Sequence, residues 1–225
     1  MSHTKRLRSA LGAIASVCAL LSAASVYAAP VYITEWQYNG SEFVELTNTS
    51  SAAVDFTNYS FDDDSRAPGS MSLASLGFVQ AGETVLIVEG TAAAFRTLWN
   101  LPGTVRIVGG NTNNLGRNDE VNIYDGLLLV DRLTYGDDVN RPGTIRTDLK
   151  SGNPVNQAAI GANNAAGWVF SALGDSYGSH TSTTGGFIGN PGTFVNPVPL
   201  PAALPLLLSG LFGFGAVRRF GARRG

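Results

Sequence analysis

Between residues 30 and 197 the chain is built of short apolar runs broken by Gly, Asn, Asp and Pro at intervals of roughly 10 to 15 positions, the spacing of a sandwich or barrel. Residues 31–36 predict a first strand and residues 41–46 a second, joined across Asn39-Gly40, a pair suited to a tight hairpin turn. In the second run Phe43 and Glu45 alternate with Val44 and Leu46, so the two pairs face opposite sides of a sheet. Residues 54–56 and 59–61 read as short strands around Thr57-Asn58, and residues 84–88 as a buried strand after Ala81-Gly82. Residues 105–107, 121–124 and 128–135 supply three more. One helix is expected over residues 91–99. Ala92, Ala93, Phe95, Leu98 and Trp99 make its stripe, Thr91 caps it, and Leu101-Pro102-Gly103 ends it. The fold class is all-β.

Both ends break this pattern. Lys5, Arg6 and Arg8 lead into an apolar run over residues 10–24, followed by Val26-Tyr27-Ala28. A basic start, an apolar run of this length and small residues before the cut make residues 1–28 a secretory signal peptide. Cleavage after Ala28 leaves Ala29 first; a cut after Ala29 is disfavoured, because Pro30 would flank the scissile bond. At the other end, residues 199–217 carry no charge and are just long enough to cross a hydrocarbon core, which needs about 20 apolar residues. Arg218, Arg219, Arg223 and Arg224 follow, a basic cluster that belongs on the cytoplasmic side.

The sequence Val198-Pro199-Leu200-Pro201-Ala202-Ala203 opens this uncharged stretch. Motif, span and basic end in this order resemble the PEP-CTERM class of sorting signals, in its VPLPAA variant. The resemblance covers residues 198–225. It implies that the tail holds an exported protein in the inner membrane of a Gram-negative bacterium until an exosortase-type transpeptidase cuts near the motif.

Charge changes the picture of the body. The formal net charge of −2 hides a division, because the basic residues of both ends leave only eight against all 17 acidic residues in between. An acidic body argues against a nucleic-acid partner recognised through phosphate neutralisation. Cys18 is the only cysteine and lies in the first apolar run with His3 before it, so the mature chain keeps one imidazole, His180. Disulfide scaffolding, a thiolate nucleophile and multi-His metal sites are thereby excluded. No cofactor is implied.

The strands also carry family motifs. Ile33-Thr34-Glu35 followed by Glu42-Phe43-Val44-Glu45-Leu46-Thr47-Asn48 resembles the opening of the lamin tail domain, an immunoglobulin-like β-sandwich. Val54-Asp55-Phe56-Thr57-Asn58-Tyr59 and Ala81-Gly82-Glu83-Thr84-Val85 are similar to its next two stretches. Gly116-Arg117-Asn118-Asp119-Glu120-Val121, with Val130-Asp131-Arg132-Leu133-Thr134-Tyr135, resembles its close. Tyr59, Phe56 and Tyr124 depart from the commoner Trp, Leu and Leu, which are volume-tolerant changes in a sandwich core. The resemblance implies a sandwich over residues 30–139. Residues 140–197, rich in Gly, Asn and Ser, read either as a last loop that packs Trp168 onto the sandwich or as a flexible stalk.

Candidate chemistry is thin. Asp62, Asp63 and Asp64, with Asp137 and Asp138, are the acidic clusters that could ligate Ca²⁺, but their spacing fits no calcium loop and they read first as turn aspartates. Glu42 and Glu45 are three apart on a strand and so face opposite sides, which excludes a convergent catalytic pair. In the lamin tail pattern these glutamates are framework residues, expected to pair with backbone or with an arginine such as Arg66 or Arg132. His180 has no neighbouring carboxylate and no nucleophile elbow accompanies it. Trp36, Tyr38, Tyr59, Trp99, Tyr135 and Trp168 are expected in the core rather than on a sugar-binding platform.

The expected protein is therefore non-enzymatic and exported, anchored transiently in the inner membrane and then placed at the cell surface or in the extracellular matrix. Its sandwich would bind a polysaccharide or a surface protein, or serve structurally. The alternatives are an accessory domain of a secreted hydrolase and a plain membrane-anchored protein.

Overall fold

The computed structural model describes residues 29–137 and 145–196. The first half of the chain gives strands β1 (Val31–Gln37), β2 (Phe43–Asn48), β3 (Val54–Asp55), β4 (Tyr59–Asp62), β5 (Met71–Ser72), β6 (Phe78–Val79) and β7 (Thr84–Val88). Helix α1 (Ala92–Trp99) follows, then β8 (Arg106–Val108), β9 (Asp119–Asp125) and β10 (Leu128–Tyr135). The last stretch adds β11 (Gly152–Pro154), β12 (Trp168–Phe170), β13 (His180–Thr181) and β14 (Ile188–Gly189).

Two sheets form the sandwich. The larger has the order β12-β11-β1-β2-β7-β8 and the smaller β10-β9-β4-β5. All pairings in them are antiparallel except β7 with β8, which run parallel because α1 carries the chain back between them. Facing side chains of both sheets make the main core, in which Ile33, Trp36, Val44, Leu46, Phe61, Ile123 and Tyr135 are almost wholly buried. Trp168 joins it, edge-on to Trp36 at 5.0 Å between ring centres.

The larger sheet is covered on its other side as well. Phe43, Leu86 and Val88 pack there against Phe95 and Trp99 of α1. Thr91 Oγ1 accepts the Ala94 N–H at 3.1 Å and so caps the helix, while Asn100 closes it in the left-handed conformation. Residues 145–196 do two things: β11 and β12 extend the larger sheet, while Phe187 packs beside α1 and the Asn190 and Gly192 N–H groups reach the carboxylates of β1 and β2. Buried Ala159, Ala165 and Trp168 tie this stretch to the main core, and a set of side-chain hydrogen bonds through Ser151, Asn153, Ser171 and Asn190 holds the rest. Among the described residues no helix is long and apolar enough to cross a membrane.

Candidate functional site

A bulge in β1 decides what the covered face carries. Ile33 pairs with Leu46 and Glu35 with Glu45, so Thr34 is the extra residue. Ile33 and Trp36 keep their places in the core while Thr34 and Glu35 both turn to the other side. There Thr34 Oγ1 donates to Glu45 Oε1 at 2.8 Å. The Ile33 N–H, on the edge of β1 where β11 pairs only at Trp36, goes to Asp131 Oδ2 of the opposite sheet at 2.8 Å.

Glu35 and Glu45 are cross-strand neighbours, both fully buried. Glu35 Oε1 accepts from Ser151 Oγ, and from the Asn190 N–H at 2.8 Å. Its Oε2 has no hydrogen-bond partner. Glu45 Oε2 accepts the Gly192 N–H at 2.8 Å. Behind these donors Asn153 Nδ2 bonds Ser171 Oγ and Asn190 Oδ1, each at 2.8 Å, and Asn190 Nδ2 bonds the Thr193 carbonyl. Gly189 must be glycine here, since a Cβ would lie 2.8 Å from Ser151 Oγ and 3.0 Å from Glu35 Oε1. Burial, and then the Glu45 charge, push the Glu35 carboxyl well above the usual range; burial lifts Glu45 to about 7.

Glu42 stands apart. Its carboxylate accepts from Asn111 Nδ2 at 3.2 Å and from the Leu115 N–H at 3.1 Å, and burial raises it to about 8. It borders an open groove of about 610 Å³ with Glu89, Ala94, Thr97 and Thr183. The expected arginine partners are corrected by the geometry: Glu42 and Glu45 take hydroxyl, amide and backbone donors. Arg66 lies at the smaller sheet, where its guanidinium grips Glu120 in a two-pronged contact at 2.6 and 2.7 Å, with Arg132 Nε 3.6 Å from the same carboxylate.

The aspartate clusters are turn and ion-pair residues. Asp62 accepts from Ser65 Oγ and the Ala67 N–H, and Asp63 from the Ser65 N–H. Asp64 is exposed beside them. Asp137 is paired with Arg117 and Arg146, and Asp138 lies outside the described residues. Among the described residues no three His, Cys, Asp or Glu side chains come together as a metal site. His180 is exposed and stands edge-on to Trp99 at 5.5 Å, with no carboxylate bonded to its ring. Trp168 is buried and offers no platform. Ala29 is described, while Ala28, the Val198–Ala203 motif and Arg218, Arg219, Arg223 and Arg224 lie outside the described residues.

This arrangement is a clamp, not a cleft. Neither Glu35 nor Glu45 meets solvent, and both use their oxygens to hold backbone N–H groups of residues 190–192. A model of the lamin tail domain matches residues 25–137. The chain belongs to the lamin tail domain family. A search of the curated proteins gave no match.

The lamin tail match ends at residue 137, yet Ser151, Asn190 and Gly192, which satisfy Glu35 and Glu45, lie beyond it. Sequence reasoning missed these partners. The signal that could have found them is Gly189-Asn190-Pro191-Gly192, a run of turn residues that marks a fixed turn more than a free stalk.

Proposed function

We propose that this chain is an exported bacterial protein whose lamin tail domain acts, without catalysis, as a binding or structural module at the cell surface or in the extracellular matrix. The leader over residues 1–28 directs export, and residues 199–217 hold the protein in the inner membrane. An exosortase-type transpeptidase then cuts near Val198-Pro199-Leu200-Pro201-Ala202-Ala203. The observation that carries this reading is the order of that motif, the uncharged stretch and the four arginines at one end of the chain. The complete burial of Glu35 and Glu45 supports a non-catalytic module, since carboxylates closed to solvent cannot meet a substrate.

The test is the intact mass of the protein from its own host, taken separately from membranes and medium. A released form ending between Pro197 and Ala203 is the expected result. A form running to Gly225 and found only in membranes would overturn the sorting step. Turnover by the purified protein that a His180→Ala change abolishes would overturn the non-catalytic role.

A further inference from the structure

One end of the sandwich combines three features that the site above does not use. The chain enters there: Ala29 and Pro30 border a groove with Asp55, Tyr59, Leu128 and Leu129. The described chain also leaves there. The Thr49 N–H bonds the Pro30 carbonyl at 2.9 Å, and Thr49 shares a pocket with Tyr32, Phe194 and Asn196. Finally, this end is unusually apolar. The β9–β10 turn projects Leu127 at 89% exposure and Leu128 at 69%, with Leu129 behind them. Phe78, paired with Asp55 in register, is 62% exposed, and Val195 is exposed next to Asn196.

Scattered exposed leucines need no explanation, but two nearly bare leucines at a hairpin tip beside an exposed phenylalanine make a patch that a water-facing surface does not favour. The local charges do not suggest an anionic partner. Asp55 and Asp125 border the groove, and Arg106 is already bound to Glu83 and to the carbonyls of Leu76 and Phe78. The length of chain decides the occupant. Only Pro197 and Val198 separate Asn196 from the uncharged stretch 199–217, so its first residue lies within about 10 Å of Asn196 even at full extension.

We propose that this end of the sandwich is a lipid-contacting face, with Leu127 and Leu128 entering the outer part of the bilayer while the tail is anchored. The inference rests on the membrane-anchored tail of the proposed function. Apolar side chains at such a boundary bury about 5–10 Å deep, and the contact needs no basic residue. When the tail is cut, the same leucines return to water, so the face is engaged only before release.

The mature chain, residues 29–225, is reconstituted into phosphatidylcholine vesicles with brominated acyl chains, carrying Leu127→Trp or Leu173→Trp. Trp36, Trp99 and Trp168 are buried and give a constant background. Leu173 is a matched exposed control, because β12 runs away from the chain entry. The expected result is roughly twofold quenching of the L127W signal, none for L173W, and retention of the protein in the vesicle pellet after alkaline extraction. Retention without L127W quenching overturns the lipid face and leaves the anchored tail standing. A blue-shifted but unquenched L127W does the same, since protein would then cover the leucines. Loss of the chain on alkaline extraction removes the tail reading and this inference with it. At 89% exposure Leu127 has room for the substitution without disturbing the fold.

Discussion

The carboxylates of Glu35, Glu42, Glu45 and Asp131 take hydrogen bonds from hydroxyls, amides and backbone N–H groups, and burial raises all four. A carboxyl whose folded pKa lies above its unfolded value retains a proton on folding. Its contribution to stability is complete below about pH 4.5 and is lost as pH rises through the folded value. For Asp131 that value is about 6, for Glu45 about 7 and for Glu42 about 8. Glu120 has the opposite sign. Arg66 lowers it to about 2, so its contribution is present above about pH 4.5 and is lost on acidification. The melting temperature is therefore expected to peak in mild acid and to fall from pH 5 to pH 8.5. A curve that is flat or rises over that range would show these carboxylates ionised in the fold. Glu45→Gln keeps an acceptor for the Gly192 N–H and removes the titration. It is expected to make the fall shallower, since Glu42 and Asp131 still titrate, and to exceed the parent's stability at pH 8 by about 1–3 kcal/mol in denaturant melts, each pKa unit being worth about 1.4 kcal/mol. These glutamates were legible in the sequence as framework residues. Their partners were not, because Arg66 and Arg132 are claimed by Glu120, and nothing in the local pattern around an arginine says which sheet it will reach.

Strands with an apolar rhythm were readable: residues 84–88 and 128–135 match β7 and β10, and the other predicted runs differ from their strands by a residue or two. So was α1, since a Thr before an apolar stripe is a local signal. Thr91→Ala is expected to cost about 1 kcal/mol, measured by thermal or urea unfolding, because it removes the acceptor for the Ala94 N–H. The strand Gly-Asn-Pro of β11 was not readable. It has no apolar rhythm; it lies between β12 and β1, and its Gly152 leaves room for the Trp36 ring. A Cβ on Gly152 would lie 2.5 Å from Trp36 Cζ3 and 2.9 Å from Cη2. Gly152→Ala is therefore expected to destabilise by about 1–3 kcal/mol in the same measurement, since the indole sits in a close-packed core with no room to yield. A neutral Gly152→Ala would mean that β11 docks loosely.

For the molecule as a whole, the lamin tail match and the folded unit have different ends. A chain truncated after Asp137 would retain every residue of the match yet strip Glu35 and Glu45 of Ser151, Asn190 and Gly192, lose β11 and β12 from the larger sheet and uncover Trp36. It is expected to lose cooperative unfolding and sharp amide dispersion in solution; a well-folded fragment would show residues 145–196 to be dispensable. Sequence composition gave no hint of this, because a polar Gly- and Asn-rich stretch looks alike whether it is a stalk or a hydrogen-bonded cover. The clamp also spans time. Glu35 is made early and receives its Asn190 bond 155 positions later; β1 can pair with β2 at once, but its buried carboxyl is satisfied only when nearly the whole chain is present, and contacts so distant in sequence close slowly. On the proposed route, where β1 follows directly on the leader and is exported before the rest of the body, that delay is useful. The nascent chain remains unfinished and threadable while it passes through, and locks only when its last polar segment has followed it across.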